Sequence, residues 1–278
     1  MGRAGLGAAG VAPRDDAELS NPSVRLLALG GLLGVTVIAW FFLWRGAALM
    51  SSMTGEGALF DWMMAMMRPA HTGPYALAAA LMWIVMMIAM MTPAVLPLVL
   101  TFWKLKRGSP AQSARHGLLF SASYLLVWCA FGLLLAFLQW GLHRGAILHT
   151  ELLTTGPLFA AWLLIAAGIY QLTPLKATCL AHCQTPLAFL LTQWRDGAGG
   201  ALRMGITHGS YCLGCCWALM LLMFVGGVMS VGWMVLISVF ILLERVLPVS
   251  RWSRWVPGLL LIGWGSGNLV SGFFAGAL

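Results

Sequence analysis

Apolar runs of about 20 residues, long enough to cross a hydrocarbon core of roughly 30 Å as a helix, recur through this chain and decide what it can fold into. The first runs from Val24 to Trp44, and six more follow at 75–103, 117–140, 157–173, 205–229, 232–250 and 257–278. The expectation is an all-α, polytopic integral membrane bundle of seven transmembrane helices. A tail at 1–23 precedes a single transmembrane domain over 24–278, which carries an outer Met-rich segment at 46–74 and a cytoplasmic Cys-containing segment at 174–205. The short Met229 to Trp233 connection is the joint on which the helix count turns. The first helix is expected to be retained, because it is longer than a signal-peptide core and leaves into Phe41, Phe42 and Trp44.

Charge sets the orientation. The 16 Lys and Arg exceed the 8 Asp and Glu, a balance that would suggest nucleic acid as a partner if it lay on an aqueous face. Here the basic residues flank the spans, and only 9% of the chain is charged, against about a quarter in a soluble domain. Nucleic acid is therefore excluded and the lipid bilayer is the expected partner. With the N-terminus inside, only Arg45, Arg68 and Arg144 fall on the outer side. Cytoplasmic loops retain positive charge, so the expectation is a cytoplasmic N-terminus and a periplasmic C-terminus in a bacterial inner membrane.

The densest chemical signal is sulfur. Of the cysteines Cys129, Cys179, Cys183, Cys212, Cys215 and Cys216, five fall between positions 179 and 216. In a helix, His208, Cys212, Cys215 and Cys216 stand at i, i+4, i+7 and i+8, along one face within about two turns. Cys179 and Cys183 are i, i+4 in their own segment, with His182 between them and directed elsewhere. Thiolates so clustered suit Cu(I), Zn(II) or an iron–sulfur cluster. Cys129, alone in the third span, reads as a small apolar residue.

Methionine is the second signal. Met86 with Met90 and Met87 with Met91 are i, i+4 pairs in the second span, and thioethers select Cu(I) over hard cations. Pro93 and Pro97 follow and remove backbone donors from that helix. Outside the membrane, Asp61, Met63, Met64, Met66, Met67 and His71 form either a surface stripe or a capture point for metal. Glu244 and Arg245, late in the sixth span, are expected to snorkel to the cytoplasmic face or pair with each other, with a role in proton relay or in supporting a ligand as the alternative. Gly226, Gly227, Gly263, Gly265 and Gly267 offer close helix contact. Walker, GxSxG, HExxH and dinucleotide-loop motifs are absent, so hydrolytic and nucleotide-driven functions have no local support.

Three separated motifs also carry a family resemblance. They are Met86-Met87-Ile88-Ala89-Met90-Met91-Thr92-Pro93, then Tyr170 to Lys176 leading to Cys179, Leu180 and Cys183, and then His208-Gly209 with Cys212-Leu213-Gly214-Cys215-Cys216-Trp217. Together, over about residues 75–250, they resemble the bacterial domain-of-unknown-function family 2182, which implies a metal-binding integral membrane protein. Ala94 stands where that pattern leads one to expect a hydroxyl.

These readings converge on a membrane protein that binds a soft metal and is not expected to be an enzyme. The favoured cargo is Cu(I), with zinc or iron the alternatives. It would be handled for uptake, transfer or insertion into a metalloprotein or membrane-complex partner. The expected ligands are Cys212, Cys215 and Cys216, then Cys179 and Cys183, with His208, Met86, Met87, Met90 and Met91 as further candidates. Two other readings compete: a membrane thiol–disulfide redox protein, and a structural subunit without metal.

Overall fold

The computed structural model describes residues 22–52, 61, 73–105, 110–145, 148–149, 154–247 and 251–275. Within them the regular structure is helical except for one two-stranded ribbon. The order is α1 (Pro22–Ser52), α2 (Gly73–Leu105), α3 (Pro110–Arg144), β1 (Leu148–His149), β2 (Thr154–Thr155), α4 (Pro157–Leu172), α5 (Pro174–Gln184), α6 (Pro186–Gln193), α7 (Gly197–Leu221), α8 (Met223–Gly226), α9 (Val231–Val246) and α10 (Arg251–Ala275). The antiparallel ribbon pairs Leu148 with Thr155 and His149 with Thr154. It is a small addition to the all-α expectation, and Thr155 Oγ1 ties it to the Phe224 carbonyl at 3.1 Å.

Four of the described helices contain stretches long and apolar enough to cross a membrane, at Leu29–Ala48, Tyr75–Trp103, Gln112–Arg144 and Gly197–Gly226, and the bent pair α4 plus α5 makes a fifth. Seven were expected. At about 1.5 Å per residue, the 16 residues of α9 rise only about 24 Å. α10 is long enough, but Arg251, Arg254, three serines and Asn268 dilute its apolar character. The Met229 to Trp233 joint is a true break. The chain leaves α8 at Gly227, whose φ of 96° suits glycine, and α9 restarts with Ser230 Oγ accepting from the Trp233 amide.

Three Thr-Pro steps shape the rest. Thr173-Pro174 and Thr185-Pro186 end helices, because proline holds the preceding residue out of the α region. Thr173 is extended at φ −69°, ψ 147° and caps α5 by accepting from Lys176 N. The result is a 66° bend between α4 and α5. The segment 174–205, expected as a semi-apolar cytoplasmic stretch, is accordingly α5, α6 and the first turns of α7. Thr92-Pro93 does not break α2. Thr92 Oγ1 turns back to the Ile88 carbonyl at 2.6 Å. The Ala89 carbonyl, which Pro93 cannot serve, takes a 3.1 Å bond from Trp40 Nε1 of α1 instead.

α2, α3 and α7 form the central layer, with α1 against α2 and α5 against α7. Small residues set the spacing. A Cβ at Gly205 of α7 would lie 2.3 Å from the Phe120 carbonyl of α3, and one at Gly168 of α4 would lie 2.7 Å from the Gly258 carbonyl of α10. Gly265 likewise meets Ala161, whereas Gly263 and Gly267, expected to pack neighbours, have open space around them. The core is apolar, yet so is the periphery, where Ile38, Phe137, Trp162 and Leu260 are exposed.

Candidate metal centre

The helical spacing on α7 has the consequence the sequence implies: His208, Cys212, Cys215 and Cys216 are all buried. α5 lies alongside and brings Cys183 to them. Cys183 Sγ is 3.9 Å from Cys215 Sγ, so the α5 thiol joins those of α7 in one buried group. Cys215 and Cys216 turn their S–H groups back on the Cys212 carbonyl at 3.1 and 2.9 Å. Cys179, half-buried, lies over Gly214, where a Cβ would stand 2.8 Å from its sulfur. That approach explains why position 214 carries no side chain. All six cysteines are free thiols.

Cys212 is the focus of the cluster. The Tyr124 hydroxyl is 3.0 Å from its sulfur and 3.4 Å from the Met91 carbonyl. Arg245 donates through Nη2 to the same sulfur and through Nη1 to the Ala94 carbonyl at 3.0 Å. Ala94 lies in the turn of α2 that Pro97, without an N–H, leaves short of a hydrogen bond. Two side chains from two other helices therefore tie the cysteine face of α7 to the proline-loosened turn of α2.

This corrects the snorkelling expectation for Glu244 and Arg245. They do not pair with each other: Glu244 is held in the α4–α5 elbow, and Arg245, partly buried, turns inward to Cys212 and Ala94. Glu244 is buried and accepts two 2.8 Å bonds from Lys176 Nζ, itself buried. Gln171 completes the set, donating to Glu244 and accepting from Lys176. Gln184 Nε2 adds a 2.6 Å bond to the Glu244 carbonyl. A buried ion pair is retained when such extra bonds satisfy its remaining valences. The network holds α9 so that the next residue, Arg245, faces Cys212.

His208 sits one turn before Cys212, within an aromatic box of Phe120, Tyr124 and Phe189 at centroid distances of 6.4, 5.7 and 5.0 Å. Its Nδ1 is buried and has no hydrogen-bond partner, an arrangement that costs stability unless something else occupies it. Met86, Met87, Met90 and Met91 are all buried in α2. Met91 reaches the cysteine cluster through its carbonyl, by way of Tyr124. Of the outer candidates only Asp61 is described, and it is exposed. Met63, Met64, Met66, Met67 and His71 lie outside the described residues.

Among the described residues, no group of three or more His, Cys, Asp and Glu side chains stands ready-made to hold a metal ion. The physical reason is the direction of the sulfurs: Cys215 and Cys216 serve a carbonyl and Cys212 is engaged by Arg245. The arrangement is a cluster of adjacent soft donors that must turn to share an ion. Tyr124 and Arg245 were not among the residues singled out as ligands. Arg245 had a signal, an arginine inside an apolar span, while Tyr124 had none.

Comparison with known proteins adds one match. A family model described as PpoB2, copper chaperone, matches residues 80–267, more than half of the chain and all of the residues of the cluster. No curated protein and no solved structure matches significantly.

Proposed function

Because the chain belongs to the PpoB2 copper chaperone family, we propose that it is a membrane-embedded carrier that holds Cu(I) among Cys183, Cys212, Cys215 and Cys216 and passes it to a metalloprotein partner. The observation that carries this reading is the arrival of Cys183 from α5 at the three cysteines of α7. Residues 29 or more positions apart along the chain are gathered into one buried sulfur cluster. Soft thiolates select Cu(I), and burial excludes the hard, hydrated cations that bind oxygen.

The surrounding residues have separate tasks. Arg245 supplies positive charge beside Cys212 and offsets the charge of thiolates that have given up protons to a bound cation. Tyr124 orients the same sulfur. His208, with its unpartnered Nδ1, is a further donor on the same face, and the buried thioethers of Met86, Met87, Met90 and Met91 on α2 are additional soft donors. The motif resemblance to the domain-of-unknown-function family 2182 supports the same metal expectation.

Embedding in the bilayer is supported by the apolar exterior and the four long apolar helices. In the seven-span arrangement, α9 and α10 are the two weaker spans, and the N-terminus is cytoplasmic with the C-terminus periplasmic. The deciding experiment is elemental analysis of detergent-purified protein after anaerobic loading, wild type beside Cys212→Ser/Cys215→Ser/Cys216→Ser. Copper bound by the wild type and lost from the variant is the expected result. Equal, negligible copper in both sinks the proposal.

The 3.9 Å approach of Cys183 and Cys215 also favours a second reading, thiol–disulfide exchange within the membrane. It predicts a mixed disulfide with a partner in a single Cys→Ser variant, which a copper carrier does not require.

A further inference from the structure

Every cysteine proposed to hold the cargo is buried, so an ion among them has no direct contact with an acceptor. α5 offers a way out. Cys179 and His182 are i, i+3 on this helix, on one face and both half-buried. They meet an i, i+3 pair on α7: Cys179 lies over Gly214, and the His182 ring stacks on Tyr211 with centroids 4.2 Å apart and planes 8° from parallel. Tyr211 directly precedes Cys212. The two partly exposed donors are therefore seated on the cysteine-bearing helix, at the margin of the buried cluster.

The His182 ring is also prepared as a ligand. Its Nδ1 is 2.9 Å from the Thr178 carbonyl. A carbonyl only accepts, so Nδ1 donates and Nε2 is the ring nitrogen left to offer a lone pair to a metal. An imidazole oriented by a backbone carbonyl in this way is the usual condition of a metal-binding histidine. Stacking on Tyr211 removes the remaining rotational freedom of the ring.

We propose that Cys179 and His182 form an outer sulfur–nitrogen exit station, at which a soft monovalent cation leaving the buried thiols is held before an acceptor protein takes it. The step is ligand exchange. The ion stays Cu(I): bonds to Cys179 Sγ and His182 Nε2 form as bonds to buried thiolates break, and for the proton that Cys179 gives up to water a vacated thiolate takes one back and is again a thiol. The proposal rests on the carrier reading above.

The test uses the full chain in detergent, loaded anaerobically with Cu(I). Copper retained after desalting is measured first, then its release rate to a chromophoric Cu(I) chelator. His182→Phe keeps a ring to stack on Tyr211 but has no lone pair; His182→Cys supplies a soft donor but no ring. The expected result is that both variants retain as much copper as the wild type, that His182→Phe releases it about tenfold more slowly, and that His182→Cys restores most of the rate. Release from His182→Phe at the wild-type rate overturns the exit station while leaving the carrier intact. Slow release from both variants also overturns it, because a soft donor restored at position 182 would then fail to carry the ion. A wild type that retains no copper overturns the carrier and the exit station together.

Discussion

Arg245 of α9 donates to the sulfur of Cys212 on α7, 33 residues earlier, and with its other terminal nitrogen to the Ala94 carbonyl of α2. One guanidinium thus joins the central cysteine to the weakened turn of the methionine helix. Its neighbour Glu244 is locked to Lys176 and Gln171, so the reach of Arg245 is set by a network that does not touch the thiols.

Replacing Arg245 by Met keeps much of the volume and removes the charge beside Cys212. Substituting a residue that orients or charges a metal ligand typically costs about 10–100-fold in metal affinity. We expect Arg245→Met to bind the same amount of copper at saturation with an affinity lowered in that range, read by competition with a Cu(I) chelator. An unchanged affinity would limit Arg245 to helix packing.

The Lys176–Glu244 pair gives a stability prediction. Removing one partner of a buried ion pair leaves an uncompensated charge and costs about 3–5 kcal/mol, whereas replacing both by apolar residues of similar volume is often close to neutral. Lys176→Met should therefore destabilise the detergent-solubilised protein by about that amount, and Lys176→Met/Glu244→Leu by much less. Thermal or denaturant unfolding followed by circular dichroism would show the order. A double variant less stable than the single would mean that the hydrogen bonds from Gln171 outweigh the charge term.

The cysteine face of α7 is legible in the sequence because helical periodicity alone puts positions 208, 212, 215 and 216 together, and Pro174 marks the start of α5 because it cannot continue α4. The partner of Cys212 is not legible. Arg245 reads as a residue at the end of a span, and only the elbow at Thr173-Pro174, where Lys176 and Gln171 hold Glu244, turns it inward to Cys212. Tyr124 is a single tyrosine in an apolar helix, and nothing local says that its hydroxyl faces a thiol 88 residues later. Of the seven spans that hydropathy suggests, four or five are carried by described helices long and apolar enough to cross, because α9 ends at Val246 and α10 is diluted by polar residues.

Gly205 tests the packing that brings α3 and α7 together. A Cβ there would meet the Ser123 hydroxyl at 2.0 Å and the Phe120 carbonyl at 2.3 Å, and the carbonyl cannot rotate away. Overpacking of this kind typically costs about 1–3 kcal/mol. Gly205→Ala should lower stability by that much and also weaken copper retention, since Tyr124 moves with α3. Gly199→Ala, with open space around it, is the control and should change neither.

The last prediction concerns oxidation. Cys183 and Cys215 Sγ atoms are 3.9 Å apart, and a disulfide needs about 2.05 Å with a side-chain dihedral near 90°, so small side-chain rotations would close the bond. Cys215 would give up its contact with the Cys212 carbonyl to do so. Mild oxidation of the copper-free protein should therefore join α5 to α7, seen as a Cys183–Cys215 peptide by mass spectrometry, and should abolish copper loading until the protein is reduced. Prior loading with Cu(I) should protect both thiols, because the ion occupies the sulfurs that would otherwise react. Crosslinking at the same rate with and without copper would show that these two thiols are not where the cargo is held, and would move the site toward Cys212 and Cys216.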